Sequence, residues 1–279
     1  MNTVVRNAIV SDSFDNLRSK QVRFLEEAHK IGFVDVLLWS DQLVQSITGH
    51  LPKFPQEERL YCIQSLRYVD RVRVISTIDD LHSLPTQVWD ELNPGVWVVD
   101  QTSDNPQKRL FCASVGMGYQ VIPETDLLGF TFLRNDVLGA PSKRKKVIVT
   151  GCYDWLHSGH VRFFEEVSGL GDLFVVVGSD ANVRLLKGAG HPLIDQNERC
   201  YMVQAIRFVR AAMISTGEGW MDAEPEIELI KPDIYVVNED GDNSEKRRFC
   251  AEHGLQYVVL KRLPRPGLPR RESTVLRGY

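Results

Sequence analysis

Residues Val147 to Arg162 read V-I-V-T-G-C-Y-D-W-L-H-S-G-H-V-R. The β-branched run Val147-Ile148-Val149 has the pattern of a strand buried on both faces of a parallel sheet. It breaks at Thr150-Gly151, and a short loop leads to His157 and His160, with Ser158 and Gly159 between them. The segment from Val161 to Val167 continues with a helical pattern. Residues three apart share a helix face, so both imidazoles can aim at one spot. That spot lies at the helix N-terminus, where unpaired N–H groups and the helix dipole favour an anion. Gly159 has no Cβ, which lets a phosphate come close to the backbone. Strand, glycine turn, paired histidines and helix together describe a nucleotide phosphate site.

Outward from this stretch the pattern alternates. Strands are expected at 147–151, 173–178, 211–215, 233–238 and 256–261, and helices at about 159–169, 196–208, 221–230, 243–253 and 272–278. Regular alternation predicts the α/β class, a parallel sheet flanked by helices on both faces. In such sheets ligands bind beyond the carboxyl ends of the strands, where the strand order switches. Gly178-Ser179-Asp180 and Asn238-Glu239-Asp240 both follow strands, so both can reach the crevice that receives the histidine loop.

The chain is also a tandem repeat. Val22 to Gly49 aligns with Val161 to Gly188 at a constant shift of 139, with 11 of 28 positions identical. Val98 to Ala113 matches Val236 to Ala251 at 9 of 16 positions, including Lys108-Arg109 against Lys246-Arg247. Two domains are therefore expected, 1–139 and 140–279, joined through Gly139 to Lys146 (G-A-P-S-K-R-K-K), whose basic end reads as a solvated linker.

The copies differ where chemistry should occur. His157-Ser158-Gly159-His160 aligns with Arg18-Ser19-Lys20-Gln21, Gly151 with Asp12, Lys187 with Thr48, and Ser273-Thr274 with Phe130-Thr131. Scaffold residues persist while phosphate-handling residues do not, so the first copy reads as catalytically silent. Asp180 and Arg199 are retained there as Asp41 and Arg59, which favours a structural role such as helix capping over substrate contact.

Composition narrows the classes further. The chain has 279 residues, 43% hydrophobic and 25% charged, with a net charge of −4. A pI near 6.0 gives no broad nucleic-acid footprint. No run approaches the roughly 18 apolar residues of a membrane span, and Met1 to Val10 lacks the plan of a signal peptide. A cytoplasmic protein without membrane or nucleic-acid partners is expected. The five cysteines, Cys62, Cys112, Cys152, Cys200 and Cys250, are scattered and odd in number. A disulfide framework and a protein-held metal are therefore not expected, and Cys152 reads as a small filler. No G-x-G-x-x-G follows the strand and no G-K-[ST] is present, which argues against a dinucleotide turn and a P-loop. No Ser or Cys nucleophile with a base and an orienter is evident.

The 147–162 stretch resembles the G-x-F-D-x-x-H-x-G-H signature of the cytidylyltransferase-like nucleotidyltransferases, with Tyr153 as the aromatic and Asp154 as the acid. The likeness continues through Leu186-Lys187-Gly188, Asn197-Glu198-Arg199, Lys231-Pro232-Asp233 and Arg271-Glu272-Ser273-Thr274. The V-R-L-L-K-G-A-G-H-P-L segment is similar to the heptose-phosphate adenylyltransferases of that superfamily. The tandem layout resembles the ethanolamine-phosphate cytidylyltransferases, although there the first copy carries the intact signature.

The resemblance implies two tandem Rossmann-like nucleotidyltransferase domains and direct attack by a substrate phosphate on the α-phosphate of CTP or ATP. Pyrophosphate would leave, and the acceptor would be a phosphorylated small alcohol or sugar. His157 and His160 would donate to the triphosphate, Lys187 and Arg262 would offset its charge, and Ser273 and Thr274 would hold the β- and γ-phosphates. The nucleoside would rest on backbone near Thr150, Gly151 and Tyr153, Gly159 would admit a phosphate of the nucleotide, and Asn238 and Asp240 would lie near the base. The sequence Asn238-Glu239-Asp240-Gly241-Asp242 departs from the family's glycine-aspartate pattern at that point. Asp180 and Arg199 are the family's candidate substrate contacts. Magnesium is expected on phosphate oxygens with few protein ligands. Single-domain relatives pair as homodimers, which implies an internal pseudo-dimer here and a capacity to form a homo-oligomer. A non-catalytic nucleotide sensor or scaffold is the competing reading.

Overall fold

A computed structural model describes residues 6–85, 92, 95–132, 142–273 and 275–276. The chain divides into two compact units, Met1–Gly129 and Phe130–Tyr279. The expected junction at 139/140 falls outside the described residues.

The first unit runs β1 (Asn7–Asp12), α1 (Ser19–Ile31), β2 (Phe33–Trp39), α2 (Asp41–Thr48), α3 (Gln56–Gln64), β3 (Arg71–Ile75), β4 (Gly95–Asp100), α4 (Pro106–Ser114) and β5 (Gly118–Ile122). The second runs β6 (Lys146–Gly151), α5 (Ser158–Ser168), β7 (Asp172–Val177), α6 (Asp180–Lys187), α7 (Gln196–Gln204), β8 (Val209–Ile214), α8 (Glu224–Ile230), β9 (Ile234–Asn238), α9 (Ser244–Glu252) and β10 (Gln256–Leu260). The sheets are five-stranded and share one topology, β3-β2-β1-β4-β5 and β8-β7-β6-β9-β10. Every pairing is parallel. The fold is α/β, two Rossmann-like domains.

The apolar run that opened the sequence reading lies at the centre. Val147, Ile148 and Val149 are fully buried, and Leu173 to Val177 on the neighbouring strand are nearly so. Each such side chain contributes about 1.5–3 kcal/mol of burial. Ile148, Phe174, Val176, Ala211, Tyr235 and Val237 form the core of one sheet face with Ile227 and Ile230 of α8 and Phe249 of α9.

Register decides where a ligand can enter. β6 pairs with β7 along its whole length to Gly151↔Val177, but with β9 only at Val147↔Ile234 and Ile148↔Tyr235. The central strands therefore part beyond Ile148, and a crevice opens between Thr150-Gly151 and Val237-Asn238. β1 and β4 part in the same way after Ile9↔Trp97.

The helices differ from the expected set at two places, one helix more than expected at 180–187 and a turn within the expected 272–278 helix. Asp180–Lys187 is helical, although its glycine-rich sequel suggested a loop. Ser179 caps it by accepting a hydrogen bond from Asn182 N–H, and Gly188 ends it at φ +86°. The helix buries only Asn182 and Val183, so its apolar signal is weak. The helix expected at 272–278 is a turn at its described residues, with Val275 and Leu276 N–H donating to the Glu272 carbonyl, and the remainder lies outside them.

Candidate nucleotide site

The loop after β6 is held from below. Tyr153 adopts φ +52° and lays its ring over Gly151. A Cβ at Gly151 would come within 2.8 Å of Tyr153 Cζ. The glycine is thus required by the tyrosine. The same ring meets His160 edge-on with centroids 5.3 Å apart, and Phe164 at 5.2 Å. Asp154 is buried, and its Oδ1 accepts from Leu193 N–H at 2.7 Å and Ile194 N–H at 3.0 Å. Asp15 in the first unit accepts from Lys53 and Phe54 N–H in the same way.

His157 is the N-cap of α5, and its Nδ1 accepts from Gly159 N–H at 3.1 Å. An accepting Nδ1 puts the proton of the neutral ring on Nε2. That Nε2 is buried without a partner, so the helix start presents an unused donor beside its own N–H groups. A Cβ on Gly159 would sit 2.9 Å from His157 Cε1, so the cap also requires that glycine. His160 stacks on His157, centroids 4.0 Å apart and 22° between planes. One of its ring nitrogens faces the Trp155 carbonyl, and Nδ1 is buried without a partner.

Both imidazoles are held neutral. Burial, then the neighbouring His160, Arg262 and Arg271, push His157 far below its ordinary value. Burial, then Arg262 and Lys187, bring His160 down to about 3. Charged groups of the same sign around desolvated rings are the arrangement expected where an anion is to arrive.

A cleft of about 580 Å³ brings His157, His160, Lys187 and Arg262 together with Thr150, Gly151, Tyr153, Gly159, Asn238, Asp240 and Ser273. Arg262 Nη1 donates to Asp240 Oδ2 at 2.5 Å, Ser273 Oγ donates to the Trp155 carbonyl at 3.3 Å, and Thr150 Oγ1 bonds Tyr235 Oη at 2.9 Å. Lys187 ends α6 and is exposed. Thr274 lies outside the described residues.

Asp180 and Arg199 do not line the cleft, and their contacts fit the structural role that their retention in the first copy favours. Arg199 is 1% exposed and donates to the carbonyls of Ile194, Cys152 and Gly178 and to Asp180 Oδ1. Arg59 repeats this with Phe54, Ser13, Trp39 and Asp41. The guanidinium ties the end of the central strand to its neighbours in both units. Asp180 is the first helical residue and not the cap, which is Ser179.

The sequence reading missed Lys246, which lines the cleft from α9 with Nζ donating to the Gly241 carbonyl at 3.1 Å. Burial lowers its pKa. Its retention as Lys108 was visible in the repeat, but a lysine in a helical turn carries no signal of which way it faces. His191 and Cys152 also line the cleft. Burial raises the Cys152 thiol, the direction opposite to that of a nucleophile.

The first unit lacks this equipment. Arg18 is the N-cap of α1, and its backbone N–H is taken by Gln21 Oε1 at 2.9 Å. Lys20 Nζ is 2.8 Å from Glu124 Oε2.

A switch-point crevice, a helix start with an unpartnered imidazole nitrogen, and the cations that line the cleft make the second unit's cleft the candidate nucleotide site. The cytidylyltransferase-like family model matches residues 148–260. The FAD synthase of Methanocella paludicola is 34% identical over 119 residues, 42% of this chain and 81% of that protein. The FAD synthase of Ferroglobus placidus is 39% identical over 120 residues, 42% and 75% of the two chains. The bifunctional protein HldE of Citrifermentans bemidjiense is 39% identical over 101 residues, 36% of this chain and 20% of its own length. The chain belongs to the cytidylyltransferase-like family. It spans about a fifth of the length of the bifunctional HldE proteins it matches.

Among the described residues no helix is long and apolar enough to cross a membrane.

Proposed function

We propose that the second unit transfers a nucleoside monophosphate from a nucleoside triphosphate to a phosphorylated small molecule and releases pyrophosphate. The observation that supports this reading is His157, a cleft-lining residue whose Nδ1 is committed to the helix cap and whose buried Nε2–H has no partner. With Lys187 and Arg262 beside it, that donor stabilises charge that grows on phosphate oxygens as the bridging bond breaks. His160 lines the same cleft, and its unpartnered Nδ1 can accept while the ring is neutral and donate once a triphosphate raises its pKa and the ring takes up a proton. The acceptor phosphate supplies the attacking oxygen and pyrophosphate carries away the bonding pair, so no protein nucleophile is needed. Positioning and electrostatics are the protein's share.

Magnesium fits this site as an ion carried by phosphate oxygens. Among the described residues no cluster of three His, Cys, Asp or Glu could hold a metal, whereas the cleft offers donors and cations that suit the phosphates themselves. Bound there, the ion would offset triphosphate charge.

FAD joins an adenylate to a flavin mononucleotide through a pyrophosphate bridge, so the two FAD synthase relatives support ATP over CTP. A pyrophosphate-release assay, run with each nucleoside triphosphate against phosphorylated alcohols, sugars and flavin mononucleotide, tests the reading. Release that depends on one triphosphate and one acceptor is expected. No release with any pair would count against catalysis and in favour of a binding role.

A further inference from the structure

The first unit has lost its phosphate chemistry but not its cleft. Where β1 and β4 part, a cavity of about 590 Å³ persists, the same size as that of the second unit. This lies within the usual range for small-molecule sites, roughly 300–1,000 Å³. The lining has changed in kind. Asp12 occupies the position of Gly151, and Asp100 that of Asn238. Phe14, Phe24, Trp39 and Trp97 supply aromatic walls.

The polar groups inside are held by local bonds: Ser13 N–H donates to Asp12 Oδ1 at 2.6 Å, Thr102 Oγ1 and Ser103 N–H donate to Asp100 Oδ1 at 2.9 and 2.8 Å, and Lys108 Nζ donates to the Ser103 carbonyl at 3.1 Å. Burial raises the Asp12 carboxyl, and the charge of Asp100 adds to it. Lys108 leans on the Trp97 ring, 5.3 Å from its centroid, and burial lowers its pKa. His82 Nδ1 is buried without a partner. The local bonds use Oδ1 of Asp12 and of Asp100, and each carboxylate keeps acceptor capacity for a ligand on Oδ2.

We propose that this cleft binds a nucleoside that carries no phosphate. Two carboxylates at the mouth of adjacent strands suit vicinal hydroxyls, each of which donates to a carboxylate oxygen. The aromatic walls suit a flat, weakly polar heterocycle. The same carboxylates repel phosphate, the start of α1 is closed by Gln21, and the Lys20 amine is engaged by Glu124. Every residue of this site belongs to the first unit.

Calorimetric titration of the full-length His160→Ala chain with adenosine and cytidine tests this, with ATP and CTP as counter-ligands. One nucleoside should bind in a manner that Asp100→Ala and the isosteric Asp12→Asn each weaken tenfold or more, while pyrophosphate release by otherwise wild-type chains carrying either change stays unaltered. Absence of nucleoside binding would overturn the proposal. So would binding indifferent to both carboxylate variants, or triphosphates held at this site as tightly as nucleosides. Melting curves of the two variants establish that each is folded.

Discussion

His157 has two jobs in this structure, and replacing it by Asn and by Ala separates them. Its Nδ1 accepts the Gly159 N–H at 3.1 Å and caps α5, while its Nε2–H is the unused donor of the cleft. Asn is among the best capping residues and Ala among the worst, a difference of about 1 kcal/mol. For a domain of this size that corresponds to roughly 2–4 °C in melting temperature. Neither replacement reaches the cleft with a donor where Nε2 stood. Loss of one preorganised donor to a developing oxyanion costs about 2.7–4 kcal/mol of barrier, or 10²- to 10³-fold in turnover. His157→Asn should therefore melt a few degrees above His157→Ala, while both lose turnover by that same large factor. Pyrophosphate release under saturating substrates and differential scanning fluorimetry read the two effects separately. An Asn variant that turns over like the wild type would reduce His157 to a cap and refute the reasoning.

Acid should destabilise the fold through the same pair. Their folded pKa values lie below the unfolded value near 6.5, His160 at about 3 and His157 lower still. The penalty is absent above pH 6.5 and grows as pH falls from there toward 3, by at most about 1.4 kcal/mol per pH unit for each imidazole. Urea titrations at pH 7.5, 6 and 5 should show this decline, and a His157→Asn/His160→Gln chain should show less of it; equal decline in both would show that other groups dominate. Titration with the preferred triphosphate should give one site per chain, because Asp12 replaces Gly151 and Arg18 and Gln21 replace the two imidazoles at the helix start of the first unit; a stoichiometry of two contradicts this. Arg199→Met should cost roughly 3 kcal/mol or more in unfolding free energy by stranding three carbonyls and Asp180, yet leave KM for the folded fraction near the wild-type value. A large KM change without loss of stability would return Arg199 to the site.

The sequence by itself determined the parallel α/β fold, because Val147 to Val149 and the strands after it are apolar runs separated by helical periods. It also brought the glycine turn and the two histidines to one cleft, since they sit within one strand–loop–helix unit whose geometry is local. The repeat exposed the unequal copies, as identity at a fixed shift survives divergence of the site. What the sequence left undecided depends on contacts between distant segments. The repeat favours a structural role for Arg199, but not which one: its guanidinium bonds carbonyls of Cys152, Gly178 and Ile194, which only the folded sheet brings together. Lys246 reads as a surface lysine until the turn of α9 points it into the cleft. Asp180–Lys187 reads as a loop because an eight-residue helix with two buried side chains leaves almost no periodic signal. The tautomer of His157, and with it the direction of its free proton, follows from a single cap bond to Gly159. Tertiary structure decided these matters because burial and hydrogen-bond partners belong to neighbourhoods in space, and sequence spacing reports only the neighbours a few residues away.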